Sequence, residues 1–98
     1  VRFVIVSKKS LALYTELKGA ERYPPGIVDA FFDAIAMIDA IQDDKELLAF
    51  RGYHFEKLKG KLKAFHSLRL NKQYRLLVKL LEDGEGKYFE IADIDDYH

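Results

Sequence analysis

The spacing of apolar positions changes halfway along the chain, dividing it into a helical part and a sheet part. Arg2 to Val6 is a short, β-branched apolar run that predicts a first strand. Ser7 or Ser10 is placed to cap a helix over about Leu11 to Glu21, with Leu11, Tyr14 and Leu17 on one face, and Pro24-Pro25-Gly26 ends it. Ile27, Phe31, Ile35, Ile38 and Ile41 then recur at steps of three or four, predicting a second helix over about Ile27 to Gln42 whose apolar stripe faces a sheet. Asp43-Asp44 breaks that pattern, and Asp44 is expected to cap a short helical turn over Lys45 to Phe50.

From Ala64 onward the period is two. His66, Leu68 and Leu70 share one face of a strand, and Phe65, Ser67, Arg69 and Asn71 share the other. Asn71-Lys72-Gln73 connects it to a second strand in which Leu76, Val78 and Leu80 alternate with Arg75, Leu77 and Lys79, so the two form a hairpin. Asp83-Gly84-Glu85-Gly86 supplies the next turn, and Lys87 to Ala92 a further strand with Phe89 and Ile91 directed to the core. The resulting order, β-α-α-β-β-β, describes one α+β domain over residues 1–98, with two N-terminal helices packed on one face of a small, mainly antiparallel sheet. The other face is left for chemistry.

Composition narrows the classes. A chain of 98 residues is long enough for a single core without metal or disulfide support. It has no cysteine, which excludes thiolate zinc sites and thiol redox chemistry. The histidines, His54, His66 and His98, are too dispersed in sequence to propose a metal cluster, so neither metal nor cofactor is expected. No apolar run approaches the roughly 20 residues needed to cross a bilayer, and the N-terminus has no signal-peptide pattern. A soluble, cytoplasmic protein without a membrane partner is the expectation.

The formal net charge of zero conceals strong segregation. Residues 51–79 carry nine basic side chains and one acidic, an excess of +8, whereas residues 82–98 stand at −6 and residues 1–50 at −2. A solvated lysine loop beside an acidic tail fits this, and so does a polyanion-binding face on a neutral protein. Arg69 and Arg75 flank a short turn and therefore lie on neighbouring strands, where two guanidiniums repel unless an anion sits between them. That anion is either a phosphate or one of the tail carboxylates Asp93, Asp95 and Asp96. His66, alternating with two leucines, reads as a satisfied histidine at the core edge. Tyr14, Phe31, Phe32 and Phe50 read as packing residues, and His54 lies in a loop with no assigned role.

Lys59-Gly60, then Ser67-Leu68-Arg69-Leu70-Asn71, Gln73-Tyr74-Arg75, Glu82-Asp83-Gly84 and a closing Asp96-Tyr97-His98 resemble the RelE/HigB group of bacterial toxins, in its HigB or plasmid-maintenance-killer branch. The likeness covers about the last 45 residues, while the first part agrees mainly in element order. Lys72 stands where the group usually has an acidic or small residue, Ala64 where glycine is common, and Glu56 where some members carry histidine, with His54 two residues earlier.

The resemblance implies the RelE-like fold and a type II toxin that cleaves messenger RNA on the ribosome, partnered by a helix-turn-helix antitoxin. It implies metal-free attack of a ribose 2′-hydroxyl on the phosphodiester. It casts His98 as proton donor or acceptor, Arg75 and Arg69 as phosphate-stabilising groups, and Lys59 as phosphate holder or base. Lys57, Lys61 and Lys63 would bind substrate, Tyr97 would stack on a base and Asp96 would orient a neighbour. ParE-like toxins share the fold and poison gyrase, and a decayed scaffold that only binds is a third reading. Arg69, Arg75 and the terminal Asp-Tyr-His favour the nuclease.

Overall fold

A computed structural model describes residues 1–97. Strand β1 (Arg2–Ile5) is followed by helices α1 (Lys8–Glu16) and α2 (Ile27–Ala40), a two-residue strand β2 (Glu56–Lys57), and strands β3 (His66–Arg69), β4 (Tyr74–Asp83) and β5 (Gly86–Asp96). The five strands form one sheet in the order β1-β5-β4-β3-β2. All neighbours are antiparallel except β1 and β5. Leu13 of α1 and Ile27, Phe31, Ala34, Ile35 and Ile38 of α2 are buried with Leu68, Leu76, Val78, Phe89, Ile91 and Ile94 of the sheet. Both helices therefore cover one sheet face, as the apolar periodicity requires, and each large aliphatic side chain buried there contributes about 1.5–3 kcal/mol.

Ser7 caps α1, its hydroxyl accepting the Ser10 N–H at 3.1 Å. The helix stops at Glu16 rather than the expected Glu21, because Leu17 takes left-handed backbone (φ 57°) and the Lys18 N–H folds back onto the Ala12 carbonyl. A separate 3-10 turn, Ala20–Arg22, follows. Helix α2 starts where expected, after Gly26, whose φ of +91° an L side chain adopts only under strain. The turn after it is a 3-10 segment, Asp44–Ala49, capped at Asp43 rather than Asp44. The Glu46 carboxylate accepts the Gln42 and Asp43 N–H groups at 2.7 and 2.8 Å. Asp44 is instead buried and bonded by Lys87 Nζ at 3.1 Å, tying this segment to the start of β5.

Two features of the sheet were not expected, and both shape the open face. Glu56–Lys57 adds an edge strand to β3, and β5 runs past Ala92 to Asp96. The extension is possible because β5 carries a bulge: Val78 pairs with Ile91 and Leu77 with Asp93, leaving Ala92 as the extra residue. Buried positions on β5 accordingly step from Phe89 and Ile91 to Ile94. Without that extra residue, strict alternation would send Asp95 to the core face and Ile94 to the open one.

Candidate functional site

The hairpin between β3 and β4 sets the register of the site. Asn71 Oδ1 accepts the backbone N–H groups of Gln73 and Tyr74, both at 2.7 Å, closing the turn so that Arg69 and Arg75 stand directly opposite each other. Across β4, Arg75 faces Asp95, giving a row Arg69–Arg75–Asp95 on the open face. One step along the same face lies a second row, Glu56–Ser67–Leu77–Asp93. Between the rows is a pocket of about 60 Å³ lined by His54, Glu56, Ser67, Arg69, Arg75 and Tyr97.

Arg75 is held from two sides. Its Nε donates to Asp95 Oδ2 at 3.0 Å, and its guanidinium carbon lies 4.8 Å from the centre of the Tyr97 ring. Among the described residues neither terminal nitrogen of Arg75 makes a hydrogen bond, so that edge of the fork remains available. Arg69 is exposed and has no ion-pair partner among the described residues. The alternative in which tail carboxylates neutralise both arginines is thus realised only for Arg75. Tyr97 is itself anchored, its N–H donating to the Gln73 carbonyl at 3.0 Å and its hydroxyl to the Asn71 carbonyl at 3.4 Å.

His54 and Glu56 complete the pocket, and neither stood among the site residues read from the sequence. The 3-10 turn Arg51–Tyr53 ends at His54 in left-handed backbone (φ 44°, ψ 50°), turning the chain into β2. His54 Nε2 lies 3.4 Å from Glu56 Oε2, with both side chains about half exposed. The one signal available beforehand was the displacement of a histidine by two positions, which is ambiguous until the turn is known. Ser67, quoted only as part of a motif, is buried at the pocket floor.

Of the other predicted site residues, Lys57, Lys59, Lys61, Lys63 and Asp96 do not line the pocket. Lys57 pairs with His66, which puts it on the opposite parity from Glu56, and its Nζ donates to the Lys63 carbonyl at 2.9 Å. Lys59 precedes a 3-10 turn, Gly60–Leu62, and it lies with Lys61 and Lys63 on the exposed loop that joins β2 to β3. Asp96 faces away from Asp95 by strand alternation, and Gln73 Nε2 donates to it at 3.0 Å. His98 lies outside the described residues. His66 stacks on Phe55 (5.0 Å, 14°), but its buried Nδ1 has no hydrogen-bond partner among the described residues, so it is not the fully satisfied histidine expected. Burial lowers its pKa, with Lys57 adding to the effect and Asp44 opposing it.

Among the described residues no group of three or more His, Asp or Glu side chains is arranged to hold a metal ion, and no helix is long and apolar enough to cross a membrane. The arrangement can grip an oxyanion between two guanidiniums beside a histidine–carboxylate pair.

Comparisons with known proteins bear on the family and the fold. The family model described as a RelE-like toxin of type II toxin-antitoxin system HigB matches residues 7–98. The chain is 36% identical over 69 residues to Toxin HigB-1 of Vibrio cholerae serotype O1 (strain ATCC 39315 / El Tor Inaba N16961), covering 70% of this chain and 73% of that protein. In fold it is similar to a YoeB/ParE toxin from Agrobacterium tumefaciens, with a TM-score of 0.61, 17% identity and full coverage of both chains.

Proposed function

Because the chain belongs to the HigB-like family of RelE-like toxins of type II toxin-antitoxin systems, we propose that it is an endoribonuclease that cuts messenger RNA on the translating ribosome. The reaction is attack by a ribose 2′-hydroxyl on the adjoining phosphodiester. The 2′-oxygen gives its proton to a base and bonds to phosphorus, the bond from phosphorus to the 5′-oxygen breaks, and that oxygen takes a proton. The products are a 2′,3′-cyclic phosphate and a 5′-hydroxyl. Such chemistry needs proton transfer at both ends and cations for the charge gathering on the phosphorane.

The observation that supports this reading is the convergence of Arg69, Arg75 and the His54–Glu56 pair on one small pocket. Commitment of the Arg75 Nε to Asp95 leaves its two terminal nitrogens for phosphate oxygens. Arg69 clamps from the opposite strand, and removing the negative substrate returns two facing cations, so binding relieves a repulsion the fold imposes. His54 accepts the 2′-hydroxyl proton with Glu56 orienting its ring. His98 supplies the proton to the leaving oxygen, on the strength of the family's terminal histidine. Tyr97 walls the pocket and presents a ring edge to a base. Lys57, Lys59, Lys61 and Lys63 hold phosphates along the flanking strand rather than the scissile one, and Asp96 steadies the hairpin through Gln73.

As a type II toxin the protein has an antitoxin partner, which we take to be a small helix-turn-helix protein. Controlled expression without antitoxin, followed by mapping of transcript 5′ ends, tests the reading. Growth arrest with new 5′-hydroxyl ends inside translated codons is the expected result. Arrest with intact transcripts and gyrase trapped on DNA contradicts it.

A further inference from the structure

A second groove adjoins the phosphate pocket across Arg69, which lines both. It has a volume of about 380 Å³ and runs between α2 and the Arg51–Tyr53 turn, lined by Asp33 of the helix, by Phe50 and Tyr53, and by Leu70. Its chemistry is unusual for a surface groove. Phe50 is 44% exposed, so its ring is a free apolar wall rather than a core residue. Asp33 and Arg69 share the groove without forming an ion pair, and the Asp33 carboxylate makes no hydrogen bond among the described residues. The Asp33 charge is nonetheless felt inside the groove, because it adds to burial in pushing the Tyr53 phenol up.

An occupant that satisfies these features is flat, apolar on its faces, rich in hydrogen-bond donors at one edge and anionic at the other end. A nucleotide has that chemistry. We propose that the groove holds the nucleobase attached to the phosphate gripped by Arg69 and Arg75, packed between the Phe50 and Tyr53 rings and the Leu70 side chain. Asp33 accepts hydrogen bonds from the base's donor edge. This inference rests on the pocket being an RNA phosphate site. An ionised carboxylate only accepts, so it favours guanine, adenine and cytosine, which present an amino group. Uracil flanks its single N–H with two carbonyl oxygens that the carboxylate repels. The groove therefore acts as a specificity filter beside a pocket that reads no base.

Amide chemical shifts on titration with 3′-GMP, 3′-AMP, 3′-CMP, 3′-UMP and inorganic phosphate test this without requiring cleavage. Inorganic phosphate should move the amides of Arg69, Arg75 and Tyr97 alone. The amino-bearing nucleotides should move Gly52 and Leu70 as well, and bind several-fold tighter than 3′-UMP. Phe50→Ala should weaken them roughly 5- to 10-fold, the lower end for loss of a stacked base, while leaving inorganic phosphate unaffected. Asp33→Asn should bring 3′-UMP within about twofold of the others, as removing one member of a polar match does. Nucleotides that reproduce the phosphate pattern overturn the groove assignment while sparing the nuclease reading. So do groove amides that respond only to the antitoxin. Failure of phosphate and nucleotides alike to bind, with no transcript cut, overturns both.

Discussion

Replacing Arg75 by alanine separates the chemistry from the fold more cleanly than any other change to the pocket. The side chain is 17% exposed and its ion-pair partner Asp95 33% exposed, so the pair is partly screened and its loss costs about 0.5–1.5 kcal/mol of stability. Relief of the opposition between Arg69 and Arg75, directly paired across the hairpin, returns about 0.2–1 kcal/mol. The two terms nearly cancel. For a domain of 98 residues the central difference between them, about 0.4 kcal/mol, moves the melting temperature by about 2–3 °C. Transition-state stabilisation has no such compensation: removing one preorganised donor to a developing oxyanion costs about 10²–10³ in rate, or about 2.7–4 kcal/mol. Cleavage in a reconstituted translation reaction should therefore fall a hundredfold or more while thermal unfolding barely moves. Because Asp95 acts through Arg75, adding Asp95→Ala to the Arg75→Ala variant should change the rate by less than about threefold. A variant that cuts within fivefold of the parent, or whose activity loss follows a melting temperature lowered by more than about 10 °C, refutes this reasoning.

Further expectations follow from neighbouring features. Glu56→Gln should slow cleavage about tenfold and His54→Ala about 10²-fold or more, with Glu56→Gln adding nothing in the His54→Ala background; independent effects measured in single-turnover rates would contradict the pairing. His66 has a folded-state pKa below its unfolded value, so it supports the folded state fully above about pH 6.5 and that support is lost as pH falls through and below this value. His66→Phe, keeping the stack on Phe55, should consequently show less loss of melting temperature between pH 7.5 and pH 5.5 than the parent; equal losses would remove His66 from the acid response. Leu76→Ala, at a fully buried position of β4, should lower unfolding free energy by about 2–5 kcal/mol in urea titrations, and a change below 1 kcal/mol would show that the core cluster is drawn wrongly.

How far the architecture is legible in the amino acids depends on the range of the interactions concerned. The apolar stripe of α2 and the alternation in β3 and β4 are local signals, and each survives in the structure with nearly the expected ends. The end of α1 is hidden because Leu17 occupies a left-handed position that its side chain does not advertise, although Gly19 marks the region. The last strand reads short because Asp93-Ile94-Asp95-Asp96 looks like an acidic tail. Its alternation is real but out of phase with Phe89 and Ile91, and only the bulge at Ala92 reconciles the two. Arg69 and Arg75 are legible as a facing pair because one short turn joins their strands. His54 and Glu56 reach the same pocket through a left-handed residue and a two-residue edge strand, both set by tertiary contacts rather than local propensity. The lysine loop is the reverse case. Its charge dominates the sequence, yet parity places Lys57 away from the open face, and Lys59, Lys61 and Lys63 are not among the residues that line the pocket.

In the proposed reaction a ribose 2′-hydroxyl attacks a phosphate held between Arg69 and Arg75. That attack is tested most directly with purified protein and ribosomes programmed with a defined messenger, once with natural ribose throughout and once with a single 2′-deoxynucleotide at the cut position. The first messenger should be cut to leave a 2′,3′-cyclic phosphate end, and the second should stay intact. Equal cutting of both, or of neither, contradicts that reaction.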